Sequence, residues 1–333
     1  MTPLLHIHNL KTWYPIRRGV LARTVGHVRA VDGVSLDIYP GETVGLVGES
    51  GCGKSTLART IMGLESPTSG DIHLDATPLW PHRHSDTLPL RRRLQMIFQD
   101  PYASLNPRMT ILDIVTEGLV EHGMIRSCER HVSAVNLLAE VGMEPSVLHR
   151  YPHEFSGGQR QRISIARAIS LRPDLVICDE AVSALDVSVR AQVLNLLIDL
   201  RAAHKLAYLF IAHDLGVVRH IANRVAVMYL GTIVETGPAA EVLDHPSHPY
   251  TKALISAIPE PYRDRKQRIV LSGDVPSSAR PPEGCRFHTR CPYVQEQCKQ
   301  TPPPLEPFGP PSSNRTAACF RAKELNTPSP SQS

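Results

Sequence analysis

The sequence has 333 residues, of which 42% are hydrophobic and 20% are charged, and its formal net charge at pH 7 is +4. A chain of this size and composition can bury a substantial core, so one large or two unequal domains are expected. It contains no run close to the roughly 20 apolar residues that a membrane-spanning helix needs. Its N-terminus lacks the basic segment and apolar core of a secretory signal. We therefore expect a cytosolic protein that meets a membrane only through a partner.

Charge pattern and cysteine content argue against two further classes. Basic and acidic residues are interspersed, whereas a nucleic-acid-binding surface usually forms a stronger and more local basic patch. The densest basic cluster, residues 91–93, is interpreted as a solvated helix face, and no nucleic-acid partner is expected. The seven cysteines are an odd number, which argues against a disulfide framework.

The N-terminal region predicts two strands, at 4–10 and 34–39, with a basic loop at 17–27 between them. A phosphate-binding loop follows, because an apolar run typical of a buried parallel strand leads into the pattern G-x-x-x-x-G-K-[S/T] and then into a helix. The residues of this loop are Gly48, Glu49, Ser50, Gly51, Cys52, Gly53, Lys54, Ser55 and Thr56. Its glycines let consecutive N–H groups point inward, and the helix N-terminus favours negative charge, so the loop forms a nest for polyphosphate. Lys54 would reach the β- and γ-phosphates, and the Ser55 hydroxyl would bind Mg²⁺.

The middle of the chain predicts a helical insertion. A loop is predicted at 78–89, and a buried strand at 94–98 ends at Gln99. The apolar period then becomes helical, which indicates a helical subdomain at about residues 100–172. A helix inside it opens with Ser156, Gly157, Gly158 and Gln159. Serine is a favoured cap and glycines leave the first N–H groups unobstructed, so this is either a second anion site or only a helix cap.

Two later strands end in groups suited to catalysis. The apolar strand 175–178 ends at Asp179 and Glu180, and carboxylates at the carboxyl edge of a sheet are costly unless a cation meets them. Asp179 would hold Mg²⁺ through water, and Glu180 could accept a proton from an attacking water. Solvated carboxylates are the alternative. The strand 207–212 ends at His213, which we expect on the same edge as Gln99 and the two carboxylates.

These motifs stand in the order found in ATP-binding cassette (ABC) ATPases, which the chain resembles over residues 1–245. The resemblance implies an α/β P-loop fold with a RecA-like core, an antiparallel β subdomain and an α-helical subdomain that carries the Ser156–Gln159 signature. It also implies a head-to-tail dimer, in which ATP lies between one chain's phosphate loop and the other chain's signature.

The resemblance also implies residue roles. Tyr14 is similar to the aromatic residue that stacks on adenine, although Trp13 could take that place. Gln99 resembles the residue that senses Mg²⁺, and Glu180 resembles the catalytic base. His213 resembles the histidine that contacts the γ-phosphate, and Asp186 the aspartate of the cross-dimer loop. Ala181 stands where a proline is usual; no chemical group is lost, so we expect a competent site.

A narrower resemblance is to the ATPase subunits of oligopeptide and dipeptide importers, and it rests on residues 98–108, 150–156 and 245–251. It implies ATP hydrolysis that energises peptide import at the cytoplasmic face of the bacterial inner membrane. The implied partners are two integral permease subunits, a second ATPase subunit, for which we favour a paralogue, and an extracytoplasmic peptide-binding protein. An importer of another solute, such as a metal chelate, and a soluble ABC protein of translation or DNA repair are the alternatives.

Residues 246–325 form a predicted C-terminal extension, followed by a disordered tail at 326–333. More than half of the 29 prolines lie at or after Pro246, so ordinary helix or central strand is not expected there. The extension also holds four of the seven cysteines, Cys285, Cys291, Cys298 and Cys319. Four thiolates suit Zn²⁺ or an iron–sulfur cluster, and their spacing does not choose between these or free thiols. The importer resemblance implies a [4Fe-4S] cluster, and such a cluster could act as a redox sensor for the ATPase.

Overall fold

A computed structural model describes residues 2–20, 22–80, 87–257, 269–309 and 314–325. The predicted disordered tail at 326–333 lies outside the described residues. The chain separates into two compact units, each built from several stretches. The first unit contains Met1–Leu4, Ile38–Thr43 and Leu74–Ile211, and the second contains Leu5–Asp37, Val44–His73 and Ala212–Ser333.

Strands and helices alternate along most of the described chain, as the predicted α/β class requires. The strands are β1 (Leu5–Arg18), β2 (Arg23–Ile38), β3 (Thr43–Val47), β4 (Ser69–Leu74), β5 (Thr77–Pro78), β6 (Leu94–Ile97), β7 (Leu175–Asp179), β8 (Ala207–Ala212), β9 (Arg224–Tyr229), β10 (Thr232–Pro238), β11 (Glu306–Phe308) and β12 (Arg315–Ala317). The α-helices are α1 (Lys54–Ile61), α2 (Thr87–Arg93), α3 (Pro101–Ser104), α4 (Ile111–Glu121), α5 (Arg130–Glu140), α6 (Gly157–Ile169), α7 (Val187–His204), α8 (Leu215–Ile221), α9 (Ala239–Asp244), α10 (Pro249–Ser256), α11 (Glu296–Gln300) and α12 (Ala322–Leu325). Within the described ranges, no helix combines the length and the apolar character that a bilayer crossing requires.

The first unit combines parallel strands with a group of helices. Strand β7 pairs in parallel with both β6 and β8, with Leu175 opposite Leu94 on one side and Ala207 on the other. Every residue of β7 and β8 is buried, as parallel strands covered on both faces require. Helices α3, α4 and α5 each pack against α6. The helical region predicted from the apolar period therefore forms, and α6 lies at its centre.

The second unit contains strands in the order β11-β12-β10-β9-β3, and another sheet in which β1 lies between β2 and β4. Strands β3 and β9 are parallel, whereas the pairs β9–β10, β10–β12 and β11–β12 are antiparallel. All five residues of β3 are buried. Helix α8 packs closely on this strand, since a Cβ at Gly45 would lie 2.4 Å from Val218 Cγ1.

A buried glutamate joins three parts of the second unit. Glu235 of β10 is fully buried, and its carboxylate accepts hydrogen bonds from the backbone N–H groups of Ser247 (2.8 Å) and His248 (2.9 Å). It also forms an ion pair with Arg315 of β12 (Nη2 to Oε1, 3.3 Å). Because β12 pairs with β10, the C-terminal extension is anchored to the sheet through both backbone and side-chain contacts.

Two predicted loops differ in part from the structure. Most of 17–27 is strand, because β1 continues to Arg18, β2 begins at Arg23, and a turn in which Ala22 N–H donates to Gly19 O (3.0 Å) joins them. The loop predicted at 78–89 is wrong at its two ends, because Pro78 belongs to β5 and α2 begins at Thr87, and its residues 81–86 lie outside the described residues. The interpretation of 91–93 as a helix face is confirmed for its first two arginines, which are exposed on α2. Arg93 instead forms close ion pairs with Asp75 and Asp174.

Candidate active site

The predicted phosphate loop connects β3 to α1, and two of its glycines have no room for a side chain. Gly48 has φ 157° and a Cβ there would lie 2.2 Å from the carbonyl oxygen of Met228. Gly53 has φ 108° and a Cβ would lie 2.0 Å from the carbonyl oxygen of Ala30. Both clashes are with backbone, which cannot rotate away as a side chain can. The loop therefore requires glycine at these positions for close approach as well as for conformation.

Lys54 is held inside the loop. Its side chain is buried, and Nζ donates to the carbonyl oxygens of Gly48 (2.8 Å) and Glu49 (3.0 Å). Nζ also lies 3.7 Å from Cys52 Sγ. Burial raises the pKa of the Cys52 thiol, so at neutral pH this residue is a neutral packing group and not a nucleophile. The ammonium group is thus fixed against the strand-side carbonyls of the loop, where it can meet phosphate oxygens.

The two candidate adenine-stacking aromatics have different surroundings. Burial raises the pKa of the Tyr14 hydroxyl, and the side chains of Thr56 and Glu65 lie close enough to influence it. Tyr14 is therefore near the last residue of the phosphate-loop motif. Trp13 Nε1 donates to Asp32 (3.1 Å), and the guanidinium of Arg29 lies 4.9 Å from the centre of its ring. Tyr14 thus lies next to the phosphate loop, whereas Trp13 has the Arg29 guanidinium over its ring.

The structure brings Gln99 and Glu180 together. Gln99 Nε2 donates to Glu180 Oε2 at 2.8 Å. Asp179, the last residue of β7, is buried, whereas Glu180 has a positive φ of 48° and starts a turn. The backbone N–H and the hydroxyl of Ser183 both donate to the Glu180 carbonyl oxygen, at 3.0 and 2.9 Å. A left-handed residue held by such a turn directs its side chain away from the strand, which suits a group that must reach a ligand.

His213 directly follows β8 and is exposed. The next residue, Asp214, caps α8, since its carboxylate accepts hydrogen bonds from Gly216 N–H (2.8 Å) and Val217 N–H (3.4 Å). The cap fixes the chain immediately after the histidine. His213 is therefore at the end of a parallel strand, as predicted, in a turn that is anchored on its C-terminal side.

The signature residues form a capping box at the start of α6. Ser156 Oγ accepts from Gln159 N–H (3.4 Å), and Gln159 Oε1 accepts from Ser156 N–H (3.1 Å). A Cβ at Gly158 would lie 2.4 Å from Val189 Cγ1, whereas at Gly157 the nearest atom would be 3.8 Å away. The helix-cap interpretation is therefore correct for Ser156. It does not exclude an anion site, because a cap leaves other N–H groups of the first turn available.

Arg160 is a supporting residue that the sequence analysis missed. It is buried in α6, its Nε donates to Pro152 O (2.6 Å), and Nη2 donates to His153 O (3.1 Å). Its guanidinium lies 3.8 Å from the centre of the Tyr102 ring. Arg160 thereby ties the signature helix to residues 152–153 and to α3. Asp186 precedes α7 and makes no side-chain cap, so its carboxylate is not used by the helix start.

The four cysteines of the extension line one cavity, together with His248, Pro249, Phe287, His288, Tyr293, Pro303, Phe320 and Arg321. Burial raises the pKa of Cys285 to about 11 and also raises the pKa of Cys291 and Cys319. None of the described cysteines forms a disulfide. Among the described residues, no group of three or more His, Cys, Asp or Glu side chains is arranged to hold a metal ion. The donor chemistry around the cavity fits a thiolate-bound metal, but the present side-chain arrangement is not a ligand set.

The extension also contacts the phosphate loop, which the sequence analysis did not predict. Arg290, which precedes Cys291, forms an ion pair with Glu49 (2.9 Å), and the Tyr250 hydroxyl accepts from Glu49 N–H (2.8 Å). Both contacts join residues about 200 or more positions apart, beyond the reach of any local pattern.

Comparison with known proteins identifies the class. A family model described as "ABC transporter" matches residues 31–183, and one described as "Oligopeptide/dipeptide transporter, C-terminal region" matches residues 234–298. The ATP-binding cassette MJ0796, solved as a dimer in a post-hydrolysis state bound to ADP and Pi, has a TM-score of 0.63 and 26% identity over 71% of this chain and 98% of that chain. The chain therefore has the P-loop ABC ATPase fold and belongs to the ABC transporter ATPases, which bind ATP and Mg²⁺.

Curated relatives give the particular family. The oligopeptide transport ATP-binding protein AppF of Bacillus subtilis is 50% identical over 92% of this chain and 94% of its own length. The dipeptide transport ATP-binding protein DppF of Escherichia coli is 46% identical over 98% and 96%. The chain belongs to the oligopeptide and dipeptide transport ATP-binding proteins, which confirms the resemblance inferred from the motifs.

Proposed function

We propose that this protein is the ATP-hydrolysing subunit of an importer for di- or oligopeptides. The observation that carries the proposal is a phosphate loop with a fixed lysine, in a chain that also has an amide and a carboxylate paired at the ends of parallel strands. The peptide cargo is supported by relatives named for oligopeptide and dipeptide transport, which match the chain over nearly its whole length.

Catalysis by these residues is positioning and electrostatics. The N–H groups of the phosphate loop and Lys54 would bind the phosphates, and Ser55, Gln99 and Asp179 are the proposed Mg²⁺ ligands. Mg²⁺ supplies neutralisation of the charge on the transferring phosphoryl group. Glu180 would orient a water and accept its proton, and Gln99 fixes the Glu180 carboxylate by the 2.8 Å hydrogen bond. His213 is the proposed γ-phosphate contact, and Tyr14 is favoured over Trp13 for adenine stacking because it lies close to Thr56 of the phosphate loop.

The proposed assembly is a head-to-tail dimer with a paralogous ATPase subunit. Ser156, Gly157, Gly158 and Gln159 of each chain would face the partner's phosphate loop, and Asp186 would lie in the cross-dimer loop. The dimeric structure of the MJ0796 cassette supports the formation of a dimer. Two permease subunits and an extracytoplasmic peptide-binding protein complete the importer, which places the chain at the cytoplasmic face of the bacterial inner membrane. In this scheme the cassette is residues 1–245 and the extension is residues 246–325.

The cysteine cavity is the proposed site of a [4Fe-4S] cluster. Its support is that Cys285, Cys291, Cys298 and Cys319 line one cavity with apolar neighbours, and that thiolates are the usual ligands of such clusters. Binding would require the thiols to ionise, which burial opposes until a metal is present. Zinc and free thiols are the other outcomes of iron, zinc and sulfide analysis of anaerobically purified protein.

The experiment that tests the function uses the complete importer reconstituted in proteoliposomes. ATP hydrolysis should be stimulated by the binding protein loaded with a di- or oligopeptide, and labelled peptide should accumulate inside. Glu180→Gln should abolish both. Stimulation by a metal chelate and not by any peptide would replace the cargo assignment, and copurification with ribosomes instead of permeases would refute an importer.

A further inference from the structure

Glu49, the second residue of the phosphate loop, is held at three separate groups. Its backbone N–H donates to the Tyr250 hydroxyl (2.8 Å), and its carbonyl oxygen accepts from Lys54 Nζ (3.0 Å). Its carboxylate receives two hydrogen bonds from Arg290, Nη1 to Oε2 at 2.9 Å and Nη2 to Oε1 at 3.4 Å. The conformation of this part of the loop is therefore set largely by two residues of the C-terminal region.

Arg290 lies in the part of the extension that carries the cavity-lining cysteines. It ends a short 3-10 turn, His288–Arg290, that lies between Cys285 and Cys291. The turn is fixed by backbone hydrogen bonds from His288 N–H to Cys285 O (2.9 Å) and from Arg290 N–H to Phe287 O (3.0 Å). The Arg290 side chain is only 8% exposed and that of Glu49 27%. A two-pronged pair this far removed from water is directional, and removing one partner leaves the other charge poorly solvated.

One aromatic cluster supports both contacts to Glu49. The Phe287 ring lies 5.3 Å from that of Tyr229 and 5.5 Å from that of Tyr250, and the two tyrosine rings are 4.6 Å apart. Phe287 is buried and also lines the cavity of the four cysteines. A change in the cavity that moves Phe287 would therefore move the base of the Arg290 turn and the ring that carries the Tyr250 hydroxyl.

We infer that Arg290 is a positioning residue for the phosphate loop, through which the state of the four cysteines alters nucleotide affinity. The inference rests on the proposed nucleotide site, but not on the identity of any metal in the cavity. Arg290 acts on the nucleotide through Glu49. Its loss should therefore weaken nucleotide binding and leave the chemical step nearly unchanged.

The test is the Kd of Mg·ADP for the complete importer, measured by calorimetry beside kcat at saturating ATP. Arg290→Ala should raise the Kd about tenfold, a loss of about 1.4 kcal/mol, with kcat within about twofold of the parent. Arg290→Lys keeps the charge but cannot donate the paired hydrogen bonds of a guanidinium, so its Kd should lie between those of the parent and Arg290→Ala. Lys299→Ala is the matched control, because Lys299 makes an exposed ion pair with Glu296 in the same extension and should change nothing.

Two double variants separate coupling from general damage. Arg290→Ala combined with Glu49→Gln should bind ADP no more weakly than Arg290→Ala alone, because the pair is already broken. Cys291→Ser should raise the Kd in the parent and have no further effect in Arg290→Ala. A parent-like Kd for Arg290→Ala, or an additive effect of Cys291→Ser, would overturn the inference. Absence of saturable ADP binding by the parent would instead refute the nucleotide site itself.

Discussion

The two signature glycines provide a matched pair that tests the packing of α6. A Cβ at Gly158 would lie 2.4 Å from Val189 Cγ1, whereas a Cβ at Gly157 would lie 3.8 Å from Leu185 Cδ2. Val189 is β-branched and helical, so its side chain has little freedom to rotate away. Overpacking costs about 1–3 kcal/mol, and replacing glycine by alanine in a helix gains up to about 1 kcal/mol. Gly158→Ala should therefore lower the free energy of unfolding by about 1–2 kcal/mol, and Gly157→Ala should leave it equal or slightly higher.

Thermal unfolding should resolve this difference as a Tm that is roughly 1–3 °C lower for Gly158→Ala than for Gly157→Ala. Val189→Ala removes the clashing methyl group. In the Val189→Ala background, Gly158→Ala should therefore lower the free energy of unfolding by much less than it does in the parent. Equal Tm values for the two alanine variants, or the same loss in the Val189→Ala background as in the parent, would show that α6 and α7 do not pack as described.

Three other side chains give quantitative expectations. Glu180→Gln cannot take a proton and should lower kcat for ATP hydrolysis by about 10²–10⁴-fold while ADP binding persists; an undiminished rate would reject Glu180 as the base. Glu235→Ala removes the only carboxylate among the described residues that pairs with the buried Arg315, and the acceptor of two buried N–H groups. Urea unfolding should therefore show a loss of about 3–5 kcal/mol, against less than about 0.5 kcal/mol for the exposed Glu324→Ala. Burial lowers the pKa of His248 from 6.5 to about 3. Between these pH values only the unfolded chain binds the proton, so the free energy of unfolding should fall as the pH drops from 6.5 toward 3, by up to about 1.4 kcal/mol per pH unit. If His248→Asn showed the same dependence of stability on pH as the parent, this expectation would be contradicted.

Continuous apolar runs gave the most accurate predictions of secondary structure. Strand β8 begins and ends at the predicted residues, and β3 forms directly before the phosphate loop as predicted, because burial on both faces leaves an uninterrupted apolar signal. The hairpin of β1 and β2 gave no such signal in its outer half. In that half the paired strands are formed mostly by exposed residues, which leave no apolar pattern. Residues 17–27 were therefore predicted as a basic loop, although most of them are strand.

For the candidate site, local motifs predicted the residues that would act on the nucleotide, but not the residues that hold them in position. The phosphate loop, the capping box and the turn after β7 are each encoded within a few residues, so their chemistry could be inferred directly. Arg290 reaches Glu49 across 241 positions, and nothing near either residue indicates the other. The buried Arg160 has the same character, because an arginine on an otherwise polar stretch of α6 is expected at the surface.

The alanine beside the proposed base has a structural account. Glu180 has φ 48°, a conformation that costs roughly 1–2 kcal/mol for a residue with a Cβ. Its backbone N–H donates to Ile211 O (3.0 Å), and its carbonyl oxygen receives both donors of Ser183. Ala181 is buried directly after it. A proline at 181 would fix its own φ and restrict the backbone of Glu180 before it. Here the hydrogen bonds already constrain Glu180 on both sides, so the carboxylate can hold its place beside Gln99 without the usual proline.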